Sequence, residues 1–232
     1  MDERRPGAPI ATGFARLDAA LGVGGLPRGR IVELFGPASS GKTTLALQAV
    51  AHLQNSGWTA AWIDAEHVFD PAYAVKLKVA IERLPVAQPE SAEQALGIAH
   101  QLASSGAVDL VVIDSAAALV PRLELEAGMG DSSPGLHGRV LASGLRGLSL
   151  VAARTGTTVV FLNQTRARLE ASGGEAETTA GGPALKMHAA VRIALYPEGG
   201  RVRFRTLKNK VAAAFGEGEL EWQAGAGFAA TP

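Results

Sequence analysis

Two kinds of hydrophobic segment alternate along this chain. Ile31-Val32-Glu33-Leu34-Phe35 is a short apolar run that predicts a buried strand, and residues 42–55 follow with the wider spacing of a helix. Residues 58–63 predict a second strand, ending at Asp64-Ala65-Glu66. Ser91 is placed to cap a helix reaching about Ser104, with Glu93 in its first turn. Residues 108–113 form an almost wholly apolar strand closed by Asp114. Residues 135–154 predict a helix despite several glycines, and 157–162 predict another buried strand, ending at Asn163-Gln164. Apolar strands separated by helices imply an α/β fold whose twisted central sheet is mostly parallel and flanked by helices on both faces. Past Ala189 the pattern changes: residues 191–195 and 201–207 flank Glu198-Gly199-Gly200 and predict a C-terminal β-hairpin. No internal repeat is visible. Residues 1–10, bearing Pro and Gly, are expected to be a flexible tail, with 11–232 as a single core domain.

Composition narrows the classes. A chain of 232 residues that is 47% hydrophobic can bury one sizeable α/β core. With 22 basic and 22 acidic residues, bulk charge does not advertise nucleic acid, so any such contact must rest on local basic clusters. The absence of cysteine excludes disulfides, thiolate zinc sites and cysteine nucleophiles. No apolar run approaches the ~20 residues that cross a bilayer, and none follows the charged start Met1-Asp2-Glu3-Arg4-Arg5. A cytoplasmic protein with no membrane partner is expected.

The densest chemistry lies between the first strand and its helix, in Gly36-Pro37-Ala38-Ser39-Ser40-Gly41-Lys42-Thr43, with Thr44 following. Glycines there let backbone N–H groups turn inward around phosphate oxygens, and the helix N-terminus adds partial positive charge. Lys42 is placed to reach the outer phosphates and the Thr43 hydroxyl to ligate magnesium, so a nucleoside triphosphate, ATP with Mg2+, is the expected ligand. Asp114, at the carboxyl end of its strand, is the second carboxylate such a metal needs; without the loop it would read as a turn residue or a cap. Glu66 ends another strand and has the chemistry to orient and deprotonate a water in line with the γ-phosphate; its plain alternative is a surface acid beside a capping Asp64.

Several further stretches occur together. Residues 11–44, including Leu21-Gly22-Val23-Gly24-Gly25-Leu26-Pro27-Arg28-Gly29-Arg30-Ile31-Val32-Glu33, resemble the start of the bacterial RecA ATPase core. So do Ile63-Asp64-Ala65-Glu66-His67, Asp70-Pro71-Ala72-Tyr73, Gly106-Ala107-Val108-Asp109, Gly130-Asp131-Ser132, Asn163-Gln164, Glu177-Thr178-Thr179-Ala180-Gly181-Gly182 and Lys208-Asn209-Lys210. Their order and spacing are similar to those of RecA recombinases, specifically among phosphate-loop proteins. The resemblance implies a RecA-like fold and a DNA-dependent ATPase of homologous recombination, DNA repair and the SOS response to DNA damage. It implies Glu66 as catalytic carboxylate, Tyr73 stacked on adenine with Asp70 nearby, and Gln164 as a switch between the γ-phosphate and the following loop. Residues 126–135 and 166–179 would be DNA-binding loops, with Arg139, Arg166, Arg168, Leu169, Gly181 and Gly182 at the DNA. Single-stranded DNA, and duplex DNA during strand exchange, would be the partners. Lys208 and Lys210 would act in trans on the γ-phosphate of the next protomer.

Some positions depart from the family. Its N-terminal helix and strand have no counterpart in the ten residues before Ala11, and its small C-terminal domain has none after Phe228. The hairpin near Pro197 lacks a basic pair, Gly173 stands where an aromatic is usual, and Met187 replaces a phenylalanine of the protomer contact. Leu169 supplies an apolar wedge for bases; Met129 and Pro134 are the first loop's candidates. Catalysis is therefore expected to be intact and the homo-oligomer or filament weakened. An accessory RecA-like ATP-binding protein without a recombinase filament stays open as an alternative, as does a trimmed core. Arg201, Arg203 and Arg205 alternate and so share a strand face, either for DNA or for acidic groups of a neighbouring subunit.

Overall fold

The computed structural model describes residues 7–127, 135–169 and 175–229. Its first half runs α1 (Ala15–Ala20), β1 (Ile31–Gly36), α2 (Lys42–Asn55), β2 (Ala60–Asp64), α3 (Pro71–Lys76), β3 (Val86–Ala87), α4 (Ala92–Ser105) and β4 (Leu110–Asp114). Then come α5 (Arg122–Glu126), α6 (Leu136–Thr155), β5 (Thr158–Leu169), β6 (Glu175–Thr179) and α7 (Pro183–His188). The chain ends through β7 (Val191–Glu198), β8 (Arg201–Asn209), β9 (Glu217–Gln223) and β10 (Gly227–Phe228).

The strands form a sheet in the order β10-β9-β8-β7-β1-β5-β4-β2-β3, with β6 attached to β5 alone. From β7 to β3 the pairing is parallel, as the apolar runs predict. The carboxyl ends of β1, β2, β4 and β5 therefore share one edge, where open parallel sheets bind ligands. The expected hairpin is present as β7–β8, and β9 and β10 extend it antiparallel.

Side-chain alternation divides the core into two layers. Val32 and Leu34 of β1 face Leu45, Leu47 and Val50 of α2, in a layer that also takes in α1 and Phe228. Ile31 faces the opposite layer, where α4 contributes Leu96 and α6 contributes Leu141, Leu145 and Leu148. Their spacing on α6 is that of a helix with one buried face. Ser91 caps α4 as expected, accepting from the Gln94 N–H at 3.3 Å. Ile10 is buried and exchanges two backbone hydrogen bonds of 2.8 Å with Leu26, which ties down the end of the leading segment. Among the described residues no helix is long and apolar enough to cross a membrane.

The second expected DNA loop takes a different form. β5 runs past Gln164 to Leu169 and returns as β6, with Arg166 opposite Thr178 and Arg168 opposite Ala176. Arg166-Ala167-Arg168-Leu169 and Glu175-Ala176-Glu177-Thr178-Thr179 alternate only briefly, with Ala167, Leu169 and Ala176 as their apolar residues, too little to predict strands by itself. Cross-strand pairing rather than patterning makes these arms strands. The hairpin tip, with Gly173, and residues 128–134 of the first loop, with Met129, Gly130, Asp131, Ser132 and Pro134, lie outside the described residues.

Candidate functional site

β1 delivers Gly36 to the ligand edge, in register with Gln164 of β5. Beyond it Ser39 has φ +58° and Gly41 φ +84°, and left-handed residues of this kind turn successive N–H groups into one concavity. Gly41 has a second reason to be glycine: a Cβ there would stand 2.5 Å from Phe228 Cζ. As the cap of α2 it precedes N–H groups that have no helical partner, an anion site by construction. Lys42 Nζ donates to the carbonyls of Pro37 at 2.7 Å and Gly36 at 3.1 Å, and to Ser40 Oγ at 3.3 Å, which holds the ammonium over the loop. Burial lowers its pKa, against the opposing pull of the Asp114 and Glu66 carboxylates.

Thr43 Oγ1 donates to Asp114 Oδ2 at 2.9 Å, joining the loop to the end of β4. Asp114 is paired in register with Asp64 of β2, and its carbonyl accepts from Ala65 N at 2.7 Å and Glu66 N at 3.2 Å. These bonds bring Glu66 to the same edge, where the Ser115 hydroxyl donates to Glu66 Oε1. Asp64 itself is buried and accepts from Val68 N at 3.2 Å, Phe69 N at 2.9 Å and Gln88 Nε2 at 2.9 Å, so it shapes the turn that carries Glu66. Burial pushes the Asp114 carboxyl up to about 6; the Thr43 hydrogen bond opposes this, the Glu66 and Asp64 charges add to it, and Lys42 opposes it. Crowded carboxylates beside a hydroxyl and a phosphate cradle fit magnesium, a hard cation that takes its remaining ligands from phosphates and water.

The loop opens onto a pocket of about 310 Å³ lined by Ser39, Ser40, Gly41, Lys42, Thr43, Thr44 and Trp222. Trp222 is the residue that sequence reasoning missed. It lies on β9, 42% exposed, with its ring edge-on to Phe228 at 5.3 Å. The Gln48 side chain clamps Phe228 to α2, donating to its carbonyl at 2.9 Å and accepting from its N–H at 2.8 Å. The available signal was Trp222 two residues after Leu220, which puts both on one face of a strand. Tyr73 Oη hydrogen-bonds Thr44 Oγ1 at 2.7 Å, so this half-buried aromatic is tied to the start of α2. Asp70 caps α3, accepting from Ala72 N at 2.8 Å and Tyr73 N at 3.1 Å.

The other expected site residues are more dispersed. Gln164 is half-buried at the point where β5 becomes the hairpin arm. Arg139 is exposed on the first turn of α6; the side chains of Arg166, Arg168 and Leu169 lie outside the described residues. Gly181 is buried, and a Cβ there would stand 2.5 Å from Leu141 Cδ1, so its place is set by packing against α6; Gly182 is exposed and caps α7. Lys208 Nζ donates to the carbonyls of Lys186 at 2.6 Å and Met187 at 3.0 Å. Burial lowers its pKa, with Lys210 and Arg192 adding to the effect. Register places Lys208 level with Arg192 and hence Glu33, while the backbone N–H of Lys210 bonds Ala190 and that of Ala190 bonds Ile31. Both lysines therefore lie roughly 10–16 Å back along β1 from Gly36, at about 3.3 Å per residue. The arginine stripe has acidic partners within the chain. Arg201 meets Glu219 at 3.1 Å, Arg203 meets Glu198 at 3.1 Å, and Arg205 lies 4.0 Å from Glu217.

The RecA N-terminal domain family matches residues 4–229. Over 237 aligned positions the chain is 51% identical to Protein RecA of Clavibacter michiganensis subsp. michiganensis, covering 98% of this chain and 66% of that protein. It is 49% identical to Protein RecA of Frankia alni, covering 98% and 68%, and 50% identical to Protein RecA of Deinococcus radiodurans, covering 94% and 63%. The chain thus spans about two thirds of the length of the curated relatives it matches, between 63% and 68% in these three.

Proposed function

The chain belongs to the RecA family, and from that premise we propose that it is an ATP-dependent, single-stranded-DNA-binding recombinase of homologous recombination and DNA repair, hydrolysing ATP at an interface between protomers. The observation that supports this best is the assembly at one sheet edge. Thr43 and Asp114 are joined at 2.9 Å, Glu66 is fixed by Ser115, and Gln164 lies in register with Gly36.

In this reading the loop N–H groups, the α2 N-terminus and Lys42 bind the triphosphate. Thr43 and Asp114 would hold Mg2+, which would supply positive charge to neutralise the charge that develops on the phosphates. Glu66 orients a water in line with the γ-phosphate and takes its proton as the new P–O bond forms and the bond to the ADP oxygen breaks. The Gln164 amide donates to a γ-phosphate oxygen and loses that partner after hydrolysis, which frees the hairpin arm it begins. Trp222 and Tyr73 flank the nucleotide base. Lys208 and Lys210 supply cations to the next protomer's phosphate.

DNA is placed against the hairpin, where Arg166 and Arg168 neutralise phosphates without reading bases, with Arg139 nearby. Single-stranded DNA is the primary partner and duplex DNA the partner of strand exchange. The compartment that fits is the cytoplasm. The test is ATP turnover with Mg2+ across a titration of single-stranded DNA. Turnover is expected to rise with DNA, and flat turnover at saturation removes the recombinase reading. Electron microscopy with ATP and DNA tests assembly: filaments support it, and monomers or small rings favour an accessory role.

A further inference from the structure

Behind the phosphate loop lies a buried polar chain that hydrolysis does not use. Glu33 of β1 is 0% exposed, Asn163 of β5 0%, and Arg192 of β7 7%. Arg192 Nε donates to Glu33 Oε2 with its guanidinium 4.4 Å from the centre of the Phe35 ring, and Asn163 Nδ2 donates to Glu33 Oε1 at 2.8 Å. Asn163 Nδ2 also donates to Ala180 O at 3.0 Å, and Asn163 Oδ1 accepts from Gln164 N at 2.9 Å. Arg192 Nη2 reaches Thr179 Oγ1 at 3.5 Å. One end of this chain is thus two residues from Phe35, and the other holds both arms of the β5–β6 hairpin at their base.

Stability alone does not explain such a group. Desolvating two charges costs as much as their attraction returns, and apolar pairs of similar volume often replace buried ion pairs without loss. What an apolar pair lacks is direction: each oxygen of Glu33 has a specified partner on a different strand, and Asn163 joins Glu33 to Ala180 and to the Gln164 N–H.

We propose that the Glu33–Arg192 ion pair, with Asn163 and Thr179, is a positioning device that ties the base of the β5–β6 hairpin to the strand feeding the phosphate loop, so that nucleotide occupancy sets the order of the hairpin. These are positioning residues, acting through Gly36 and Gln164. The inference takes nucleotide binding from the reading above but does not require that the hairpin bind DNA.

Hydrogen–deuterium exchange of the hairpin amides, 165–169 and 175–180, tests it, with and without Mg2+ and a non-hydrolysable ATP analogue. In the unaltered chain the analogue is expected to slow exchange by about fivefold or more, the low end of typical site-to-site coupling. In the double variant Glu33→Leu/Arg192→Met, and in the milder Arg192→Lys, that difference should fall below about twofold, while analogue affinity stays within about threefold and thermal stability is kept. Protection that persists in both variants overturns the proposal, as does an unaltered chain whose hairpin ignores the nucleotide. Loss of analogue affinity in step with loss of protection also overturns it, because that is what a merely structural role gives. DNA-stimulated turnover of the unaltered chain, measured alongside, separates the two claims. If DNA does not stimulate while the exchange results are as expected, the recombinase reading falls and the positioning role stands.

Discussion

Replacing Glu66 by Gln isolates one carboxylate charge with little else changed. The amide has the same shape, and its oxygen can still accept from the Ser115 hydroxyl that holds Oε1. The turn is fixed independently by backbone bonds to Asp114 O and by the Asp64 carboxylate, so the fold and the loop should be unaffected. What disappears is the group that takes the water's proton. General-base contributions of this kind run to roughly 10²–10⁴-fold, and at 1.36 kcal/mol per tenfold the barrier should rise by about 2.7–5.4 kcal/mol. Binding should move the other way, because a negative charge beside the phosphates is gone. Its removal also relieves Asp114, whose pKa the Glu66 charge helps to raise. Steady-state turnover with Mg2+ and single-stranded DNA should therefore collapse in kcat while nucleotide affinity is kept or improved, and the DNA-bound state should persist because the ATP is not hydrolysed. Turnover within threefold of the unaltered chain would refute the assignment of Glu66 as base.

Trp222→Ala should weaken ATP binding by roughly 2–12-fold, corresponding to the ~0.5–1.5 kcal/mol of an aromatic contact; a nucleotide titration giving an unchanged Kd would remove Trp222 from the base site. For Asp109, burial raises the pKa, but hydrogen bonds from the Thr59 backbone, Arg28 and the Thr59 hydroxyl, together with the Arg28 charge, outweigh it and leave the pKa below the ordinary value. Its contribution to stability is therefore complete above the unfolded value of about 3.9 and is lost as pH falls through the folded value. Urea unfolding from pH 6 down to 2 should show the unaltered chain losing stability faster than Asp109→Asn, and parallel curves would contradict the shift. Mixing Glu66→Gln and Lys208→Ala chains, each inactive alone, should restore turnover, because some interfaces then pair an intact Glu66 with an intact Lys208; no recovery would count against action in trans.

The parallel sheet was legible because its strands are buried on both faces, and burial writes itself into sequence as apolar runs such as Val111-Val112-Ile113. The phosphate loop was legible because glycines and a lysine must sit at fixed spacing after a strand. The elements that escaped are held by partners rather than by pattern. In β9, Leu220 is the only fully buried residue, and the acids around it face Arg201, Arg203 and Arg205 of β8. The strand does alternate, Glu217, Glu219, Glu221 and Gln223 against Gly218, Leu220 and Trp222, but a glycine and a single fully buried apolar residue leave that alternation too weak to stand out. Those three arginines were correctly placed on one face, but no spacing rule could show that their counter-charges lay within the same chain. The hairpin arms escaped for a related reason: β6 is held by its pairing with β5, and Ala176 is its one apolar residue. Trp222 belongs to the site only because the Gln48 clamp folds the end of the chain back onto α2, a contact spanning 180 residues.

The register also separates the proposed chemistry into two places. Phosphate binding, the metal pair and the base all sit at the carboxyl edge of β1, β2 and β4, because parallel pairing points these strand ends the same way. Lys208 lies on β8 and Lys210 just past its end; β8 runs antiparallel to β7, so this end lies toward the opposite edge. Lys208 is moreover held by the carbonyls at the end of α7. A cation that stabilises the γ-phosphate must come within hydrogen-bond reach, about 3 Å, and strand spacing sets these lysines roughly 10–16 Å back from their own loop. Local side-chain motion does not close that gap while β7 and β8 stay paired to β1. If the lysines serve hydrolysis at all, they serve another copy's nucleotide, and turnover then becomes a measure of assembly as much as of chemistry.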